Sequence, residues 1–337
     1  MMRDIAMDLQ PLGHTRLTVS RIGLGLAALG RPGYINLGHA QDLRHDYEVA
    51  AMHDRAHEVL DAAWAAGLRY FDVARSYGRA ESFLSTWLST RSIIPGAVTV
   101  GSKWGYTYAA GWKVDVPTHE VKEHSLAVLR RQVKESCALL GNYLNLYQIH
   151  SATLESGVLA DREVLVELAA LRTAGLRIGL TLSGAGQAAT LRDAIGVMVD
   201  GVRLFDCVQA TWNLLERSAE SALQAAHDAG MGVIIKEGLA NGRLTPRNTA
   251  AAFTPSRRVL DAVAARLHTT VDALALAAVL AQPWVDVVLS GAATVEQLQS
   301  NVGALAVAWD DEAAAQLAHI AETADAYWAT RGKLKWN

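Results

Sequence analysis

The stretch FDVARSYG, residues 71–78, joins the end of an apolar segment to a short polar loop. Phe71 is followed directly by Asp72, and Tyr77 comes just before Gly78 at the end of the stretch. An apolar run that stops at a carboxylate is typical of a buried strand that ends at the rim of a sheet. Because a buried carboxylate is costly without a partner, the stretch predicts a charged partner for Asp72 elsewhere in the chain.

The same alternation of a short apolar run with a longer stretch of helical period continues through the chain. Strands are predicted around residues 24–26 and at 70–74, 98–104, 144–150, 177–183, 205–213, 232–238 and 285–291, each followed by a helical stretch. Strands that read as near-continuous apolar runs are buried on both faces, as parallel strands are. Eight such units without a break favour a closed (β/α)8 barrel, the TIM barrel of the α/β class, over an open doubly wound sheet.

The segment ahead of the first unit has a different pattern. LQPLGHTRLTVSRI, residues 9–22, predicts an N-terminal β-hairpin that turns at Gly13 and His14. No linker, low-complexity tract or shift in composition divides the chain after it. We therefore expect one barrel domain over residues 1–337.

Composition excludes several classes of protein. The net charge is −3 and acids and bases are interleaved, which disfavours a nucleic-acid partner. MMRDIAMDLQ at the start has no apolar core of a signal peptide, and the apolar run at residues 273–281 is far shorter than the roughly 20 residues of a membrane span. Cys137 and Cys207 are expected to be reduced core residues, as in a reducing compartment. These features predict a cytoplasmic protein without a membrane partner.

Three strand ends carry ionisable side chains of different types. Asp72 ends the second strand with Tyr77 behind it, Lys103 ends the third and His150 ends the fourth. The carboxyl ends of barrel strands meet at one rim, where barrel enzymes place their chemistry. An ammonium group near a phenol lowers the phenol's pKa, an aspartate would hold that lysine, and a histidine would hydrogen-bond the reacting oxygen. The set predicts proton transfer to or from an oxygen, with Asp72 paired to Lys103.

These motifs, taken together and in order, resemble the aldo-keto reductase superfamily. The matching pieces are FDVARSYG, GSKWG (101–105), LYQIH (146–150), the hairpin, ANGRL (240–244) and GAATVEQLQSN (291–301), which extend over essentially the whole chain. The resemblance implies an NAD(P)-dependent oxidoreductase that interconverts small aldehydes or ketones and alcohols by hydride transfer. It also implies a catalytic tetrad of Asp72, Tyr77, Lys103 and His150, in which Tyr77 is the general acid in reduction and the general base in oxidation.

The resemblance further implies positions that bind the cofactor. These are Ser183 and Gln209 for the nicotinamide carboxamide, Trp212 in place of the aromatic residue that stacks on the nicotinamide, Gly238, Leu239, Asn241 and Gly242 along the pyrophosphate, and Gly291, Ala292, Gln297 and Asn301 around the adenosine. Gly184 departs from the Asn that the family usually has. No basic residue lies between Ser290 and Leu305, where NADP-dependent members often place one for the 2′-phosphate. The resemblance favours NADP(H), with NAD(H) as the alternative.

Other interpretations of the same residues were compared with this one. A cofactor-binding sensor or regulatory partner module would bind nicotinamide with little turnover, and an unrelated barrel enzyme would use Lys103 in a Schiff base. SGAGQAAT, residues 183–190, with Asp206 some twenty residues on, has the spacing of a dinucleotide fingerprint, but it lies in the fifth of eight like units. No metal is expected, because His119 and His124 are five residues apart and would not share a helical face.

The substrate pocket is expected to form from loops. These are residues 30–45, residues 104–112 and the C-terminal tail, with Tyr34, His39, Trp328 and Trp336 as aromatic candidates for stacking on a ring or sugar face. Arg75, between Asp72 and Tyr77, is expected to be solvated.

Overall fold

Eight parallel strands form the centre of the molecule in the computed structural model, which describes residues 8–337. They are β1 (Ile22–Gly25), β2 (Tyr70–Asp72), β3 (Thr99–Trp104), β4 (Leu144–Ala152), β5 (Arg177–Leu182), β6 (Cys207–Thr211), β7 (Gly232–Lys236) and β8 (Val287–Ser290). Each strand pairs with the next in chain order, and β8 pairs with β1, so the sheet closes. The predicted TIM barrel is confirmed, which excludes the open sheet that a dinucleotide fingerprint at residues 183–190 would need.

Helices surround the barrel. They are α1 (His39–Asp42), α2 (Val49–Ala65), α3 (Ala80–Thr90), α4 (Leu126–Leu140), α5 (Arg162–Thr173), α6 (Gln187–Ile195), α7 (Glu220–Asp228), α8 (Thr254–Arg266), α9 (Val271–Leu280), α10 (Val295–Val302), α11 (Asp311–Ala318) and α12 (Ala324–Gly332). Short 3₁₀ helices lie at Gly141–Tyr143, Leu154–Ser156, Ala240–Gly242, Ala251–Phe253 and Gly303–Ala306. Within the described residues no single helix is long and apolar enough to cross a membrane, and only the bent pair Ala251–Arg266 and Val271–Leu280 reaches that length and composition.

In the described part of the chain, three short antiparallel strand pairs lie outside the barrel sheet, at its two ends. Leu9–Pro11 pairs with Thr18–Ser20, Tyr106–Tyr108 with Glu120–Lys122, and Met198–Val199 with Val202–Arg203. The first pair is the predicted hairpin. The backbone N–H of His14 in its turn donates to the carbonyl of Gly230, ahead of β7, at 3.0 Å. The hairpin therefore covers the amino end of the barrel and leaves the carboxyl end open. Residues 1–7 lie outside the described residues, and a single domain over 1–337 stays a prediction.

The pleat of the strands decides which side chains reach the interior. Successive residues of a strand point to opposite faces. Tyr70 belongs to the cluster inside the barrel, whereas Phe71 packs outward against Trp87 of α3 with ring centres 5.4 Å apart. Asp72 therefore points inward again, one level closer to the carboxyl end. Burial of the outward side chains under the helices holds this alternation in place.

The two free cysteines lie in different environments. Cys207 is fully buried inside the barrel, as predicted, whereas Cys137 is exposed, so the prediction of a core residue was wrong for it. Helix α4 buries Val133, Ser136 and Leu140 among others. Cys137 follows Ser136 by one residue, a rotation of about 100° on a helix with 3.6 residues per turn, and so it faces solvent.

Gly78 fixes the turn behind Tyr77. It has φ +59°, and a Cβ there would lie 2.4 Å from the carbonyl oxygen of Gly30. We expect Gly78→Ala to lower the free energy of unfolding by about 2–4 kcal/mol, because left-handed strain and overpacking add. Gly157→Ala is the control, with φ +66° and nothing within 4 Å of its Cβ. Equal losses in denaturant titrations of the two variants would show that the contact with Gly30 does not matter.

Candidate active site

A cavity of about 610 Å³ opens at the carboxyl end of the barrel. Asp72, Tyr77 and His150 line it. Lys103 lies behind them, and its residue is 1 % exposed. The structure thus brings the four residues of the predicted tetrad to one end of the barrel, from β2, β3, β4 and the loop after β2.

Asp72 and Lys103 form a buried ion pair. The Lys103 Nζ contacts Asp72 Oδ1 and also donates to the carbonyl of Val73 at 2.9 Å. Asp72 Oδ2 accepts from Gln209 Nε2 at 2.8 Å and from the Tyr70 hydroxyl at 3.4 Å. The partner that the sequence predicts for Asp72 is therefore present. Burial lowers the pKa of Lys103, and the Asp72 carboxylate opposes that shift.

Tyr77 stands between this pair and the cavity. The Lys103 Nζ lies 4.6 Å from the centre of its ring, and the edge of the His150 ring faces it with centres 5.5 Å apart. Burial, and next the charge of Asp72, raise the pKa of the Tyr77 phenol well above 10. The net shift is therefore opposite to the lowering that the sequence predicts, because burial and the Asp72 charge dominate the pKa of the phenol. Tyr77 therefore carries its proton at neutral pH.

His150 is a neutral neighbour of Tyr77. Burial, then the charge of Lys103, hold the pKa of His150 well below its usual value. Its Nδ1 lies 3.4 Å from Ser76 Oγ. His124 Nε2 donates to the His150 carbonyl at 2.8 Å, which ties the end of β4 to the loop that carries Tyr106. A neutral imidazole in this position can donate or accept a hydrogen bond without changing its charge.

Arg31 is a cavity residue that the sequence analysis missed. It is 3 % exposed, and its Nη1 donates to Glu120 Oε1 at 2.6 Å and to the Ser76 carbonyl at 3.0 Å. Its Cζ lies 5.3 Å from the centre of the Tyr77 ring and 4.8 Å from that of Trp336. The cation thus joins the loop that carries Ser76 and Tyr77 to the wall of the cavity.

A second charged group lies on the end of β7. Lys236 Nζ donates to Thr211 Oγ1 at 2.9 Å, and Arg331 of α12 holds Glu237 through its Nε at 2.9 Å from each carboxylate oxygen. Burial lowers the pKa of Lys236 to about 8. Burial alone would raise the pKa of Glu237, but Arg331 and Lys236 together bring it to about 2. Lys236, Glu237 and Arg331 are therefore all charged at neutral pH.

Most of the predicted cofactor positions face this cavity. Those that line it are Ser183, Gln209, Gly238, Leu239, Asn241, Gly242, Gly291, Ala292, Gln297 and Asn301. Gln209 also donates to Asp72, so one residue contacts both the predicted tetrad and the predicted nicotinamide position. Gly184, which stands where the family usually has Asn, has φ +89°, and a Cβ at this position would meet no atom within 4 Å.

Trp212 does not line the cavity, and its predicted stacking role was wrong. It is 2 % exposed and packs edge-on against Trp284, with ring centres 5.6 Å apart. Gln209 and Thr211 of β6 point inward, so the pleat turns Trp212 outward. Thr211 is level with Lys236 in the register of β6 and β7, and Lys236 lines the cavity there.

The loops form the pocket largely as expected. Tyr34 and Trp336 line it, whereas His39 is buried away from it and Trp328 packs on Tyr327. Tyr34 and Asn337 exchange two backbone hydrogen bonds of 3.1 Å, which hold the tail against the first loop.

Arg75 does not reach the cavity. It is not solvated either, because it bonds to Glu81 at 2.5 Å and to Glu135 at 3.0 Å. The sequence-based expectation for this residue was therefore wrong, since its carboxylate partners come from helices α3 and α4.

The far end of the cavity has free acceptors and space for a dinucleotide. The Oδ1 atoms of Asn241 and Asn301 are buried and have no hydrogen-bond partner among the described residues. A Cβ at Gly291 would meet nothing within 4 Å. Buried acceptors without partners are costly, so both atoms fit a ligand that donates hydrogen bonds, and the residues present fit a nicotinamide dinucleotide.

Fold and site together define an oxidoreductase barrel. Residues 21–322 match the sequence model of the Aldo/keto reductase family, and the chain belongs to that family. It is an NAD(P)-dependent oxidoreductase.

The relatives extend over nearly the whole chain. The NADH-specific methylglyoxal reductase of Escherichia coli is 25% identical and covers 93% of this chain and 98% of its own. Pyridoxal 4-dehydrogenase of Microbacterium luteolum is 28% identical over 88% of this chain and 92% of its own. The holo form of aldo-keto reductase AKR11C1 from Bacillus halodurans has the same fold, with a TM-score of 0.72, 20% identity and coverage of 94% and 97%.

Proposed function

We propose that this protein interconverts small aldehydes or ketones and the matching alcohols, with Tyr77 as the general acid in reduction and the general base in oxidation. The observation that carries the proposal is the position of the Tyr77 phenol. It lines the cavity between the Asp72–Lys103 pair and a neutral His150. The names of the relatives, a methylglyoxal reductase and a pyridoxal dehydrogenase, support a small carbonyl substrate.

The proposed reaction divides the work between cofactor and protein. The nicotinamide, when bound, supplies a hydride to the carbonyl carbon in reduction and accepts one from the alcohol in oxidation. Tyr77 donates its phenolic proton to the carbonyl oxygen, so that the alcohol leaves uncharged. Lys103 is fixed by Asp72 where its charge stabilises the phenolate that remains. His150 offers a hydrogen bond to the same oxygen.

The residues around the reacting oxygen also limit access of water. Trp336 and Tyr34 form one wall, and the tail is held by its bonds to residue 34. In this proposal Ser183 and Gln209, which line the cavity, orient the carboxamide of the nicotinamide. Lys236 adds a cation on the neighbouring strand end.

The pH dependence of the two directions tests this proposal. Because the Tyr77 pKa is raised well above 10 and that of His150 is lowered well below 6.5, both residues keep one protonation state near neutrality. Reduction of methylglyoxal should therefore change little between about pH 6 and pH 7, below the pKa of about 8 of the cavity residue Lys236, whereas alcohol oxidation, which needs the phenolate, should rise with pH. Rates would be followed by cofactor absorbance with NADH and NADPH.

The alternative to this proposal is a sensor or regulatory module that binds the nicotinamide cofactor with little turnover. If a panel of small aldehydes and ketones gives no rate above background while a cofactor still quenches the tryptophan fluorescence, the protein binds nicotinamide without turnover. If neither cofactor binds at about millimolar concentration, the weak end of the usual range of KM values, the assignment of the cavity itself fails.

A further inference from the structure

The carboxylate of Asp42 lies behind the cavity wall, against Arg247 and Gln297, which line the cavity near β8. It belongs to α1 in the loop after β1, and its side chain is 3 % exposed. Arg247 holds it through two bonds, one of them from Nη1 to Oδ2 at 2.7 Å. Gln297 Nε2 donates to Asp42 Oδ1 at 2.9 Å. A buried carboxylate therefore holds two of the side chains that line this end of the cavity.

Gln297 has both ends of its amide engaged. Its Nε2 donates to Asp42, and its Oε1 accepts from the backbone N–H of Ala293 at 2.9 Å. Four residues farther along α10, Asn301 donates to Ser290 Oγ at 2.8 Å, and its Oδ1 is buried without a partner among the described residues while the residue lines the cavity. That free acceptor marks this end as a binding region and is independent of the charges nearby.

Carboxylates outnumber free cations at this end. Asp272 and Glu296 line the cavity together with Gln297. The cation that lines it there is Arg247, and Asp42 binds both ends of its guanidinium. Arg44 is exposed and acts on Glu296, whose pKa it helps to lower. Three carboxylates, those of Asp42, Asp272 and Glu296, therefore face two guanidinium groups, those of Arg44 and Arg247. This end of the cavity has one negative charge more than it has positive charges.

NADP(H) and NAD(H) differ in one group, the substituent at the 2′ position of the adenosine ribose. NADP(H) carries a phosphate on the adenosine ribose with about two negative charges, which needs arginine or lysine donors. NAD(H) has a hydroxyl there, which can donate to a carboxylate and accept from an amide. With Arg247 held by Asp42, the excess negative charge at this end favours the uncharged hydroxyl over the phosphate, because like charges repel.

We propose that Asp42 and Gln297 make this cavity select NAD(H) over NADP(H). The inference rests on the proposed function, since it assumes that the adenosine lies beside Asn301. It reverses the preference for NADP(H) that the family resemblance implies. The NADH-specific relative from Escherichia coli is consistent with such a preference within the family.

Equilibrium titrations of the purified protein test the proposal directly. Quenching of tryptophan fluorescence by NADH and by NADPH gives both dissociation constants without turnover. We expect NADH to bind at least about tenfold more tightly, the effect of one unfavourable charge contact. Equal binding, or tighter binding of NADPH, would overturn the inference and leave the proposed function intact. Binding of neither cofactor would instead overturn the proposed function.

Variants then identify the responsible residues. Asp42→Asn combined with Gln297→Arg removes the carboxylate and adds a phosphate ligand, and we expect NADPH to bind at least about tenfold more tightly than it binds wild type. Gln299→Arg is the control, because it adds the same charge two residues away at an exposed position of α10 outside the cavity lining. A gain of the same size in the control would show a general charge effect and contradict the assignment. Thermal melts of each variant confirm that it is folded.

Discussion

Tyr77→Phe is expected to reduce kcat by at least about a thousandfold, within the range that general acid catalysis contributes. The substitution removes the phenolic oxygen and keeps the ring, which contacts Arg31, Lys103 and His150. Cofactor binding should change by less than about threefold, under 1 kcal/mol, because the hydroxyl is assigned to the substrate oxygen. The measurements are steady-state kinetics and fluorescence titration on the same preparation.

Tyr108→Phe is the matched control for this prediction. Tyr108 lies on the strand after β3, is half-buried, and its hydroxyl accepts a hydrogen bond from the backbone of Trp112 at 3.2 Å, outside the cavity lining. It should keep wild-type turnover. If Tyr77→Phe retained turnover, another group would have to supply the proton, and the proposed role of Tyr77 would be abandoned.

Lys103→Met is expected to cause the largest loss of stability, about 3–5 kcal/mol, because it leaves a buried carboxylate without its cation. The Lys103 and Asp72 side chains are 0 % and 2 % exposed. Turnover should also fall sharply, since no charge remains to stabilise the Tyr77 phenolate. Denaturant unfolding and steady-state rates would measure the two effects separately.

The double variant Asp72→Asn, Lys103→Met separates packing from catalysis. Removing both charges should restore most of the lost stability, while turnover stays low. Arg130→Met is the control for charge loss at the surface, because Arg130 and Glu167 form a pair with side chains 57 % and 25 % exposed, and exposed pairs contribute about 0–1 kcal/mol. If Lys103→Met cost no more than this control, Asp72 would not depend on Lys103 inside the barrel.

The barrel could be predicted because its pattern is local. Each strand is a short apolar run, and each is followed by a helical stretch, so eight repeats are visible without knowledge of long-range contacts. The strand ends were accurate to within a few residues, as with the predicted 70–74 and the observed Tyr70–Asp72. Cys137 was misplaced because a helix buries one face, and the sequence pattern was read without assigning that face.

The residues of the predicted tetrad could be chosen from their places at strand ends, but the alternation of side chains along each strand was not applied consistently. Counting in twos from Cys207 places Gln209 and Thr211 inside the barrel and Trp212 outside. The same counting from Ile234 places Lys236 inside. Consistent use of the alternation of side chains along the strands would have rejected Trp212 as a stacking residue. It would also have identified Lys236 as a residue that lines the cavity.

The ion pairs around the cavity had no local signal. Arg31 and Glu120 are separated by 89 residues, and Glu237 and Arg331 by 94. Such pairs form because separate loops converge on the carboxyl end of the barrel, and their identities depend on loop conformation. The raised pKa of Tyr77 was missed for a related reason, since burial by those loops outweighs the nearby ammonium group.

The two described ends of the chain differ as attachment points. The N-terminal hairpin covers the amino end of the barrel, whereas Asn337 donates to the Asn36 carbonyl and accepts from the Ala40 N–H beside the cavity. A group attached at Asn337 would therefore lie at the entrance that cofactor and substrate are proposed to use. A group attached to the turn of the hairpin at His14 would lie at the opposite end of the barrel.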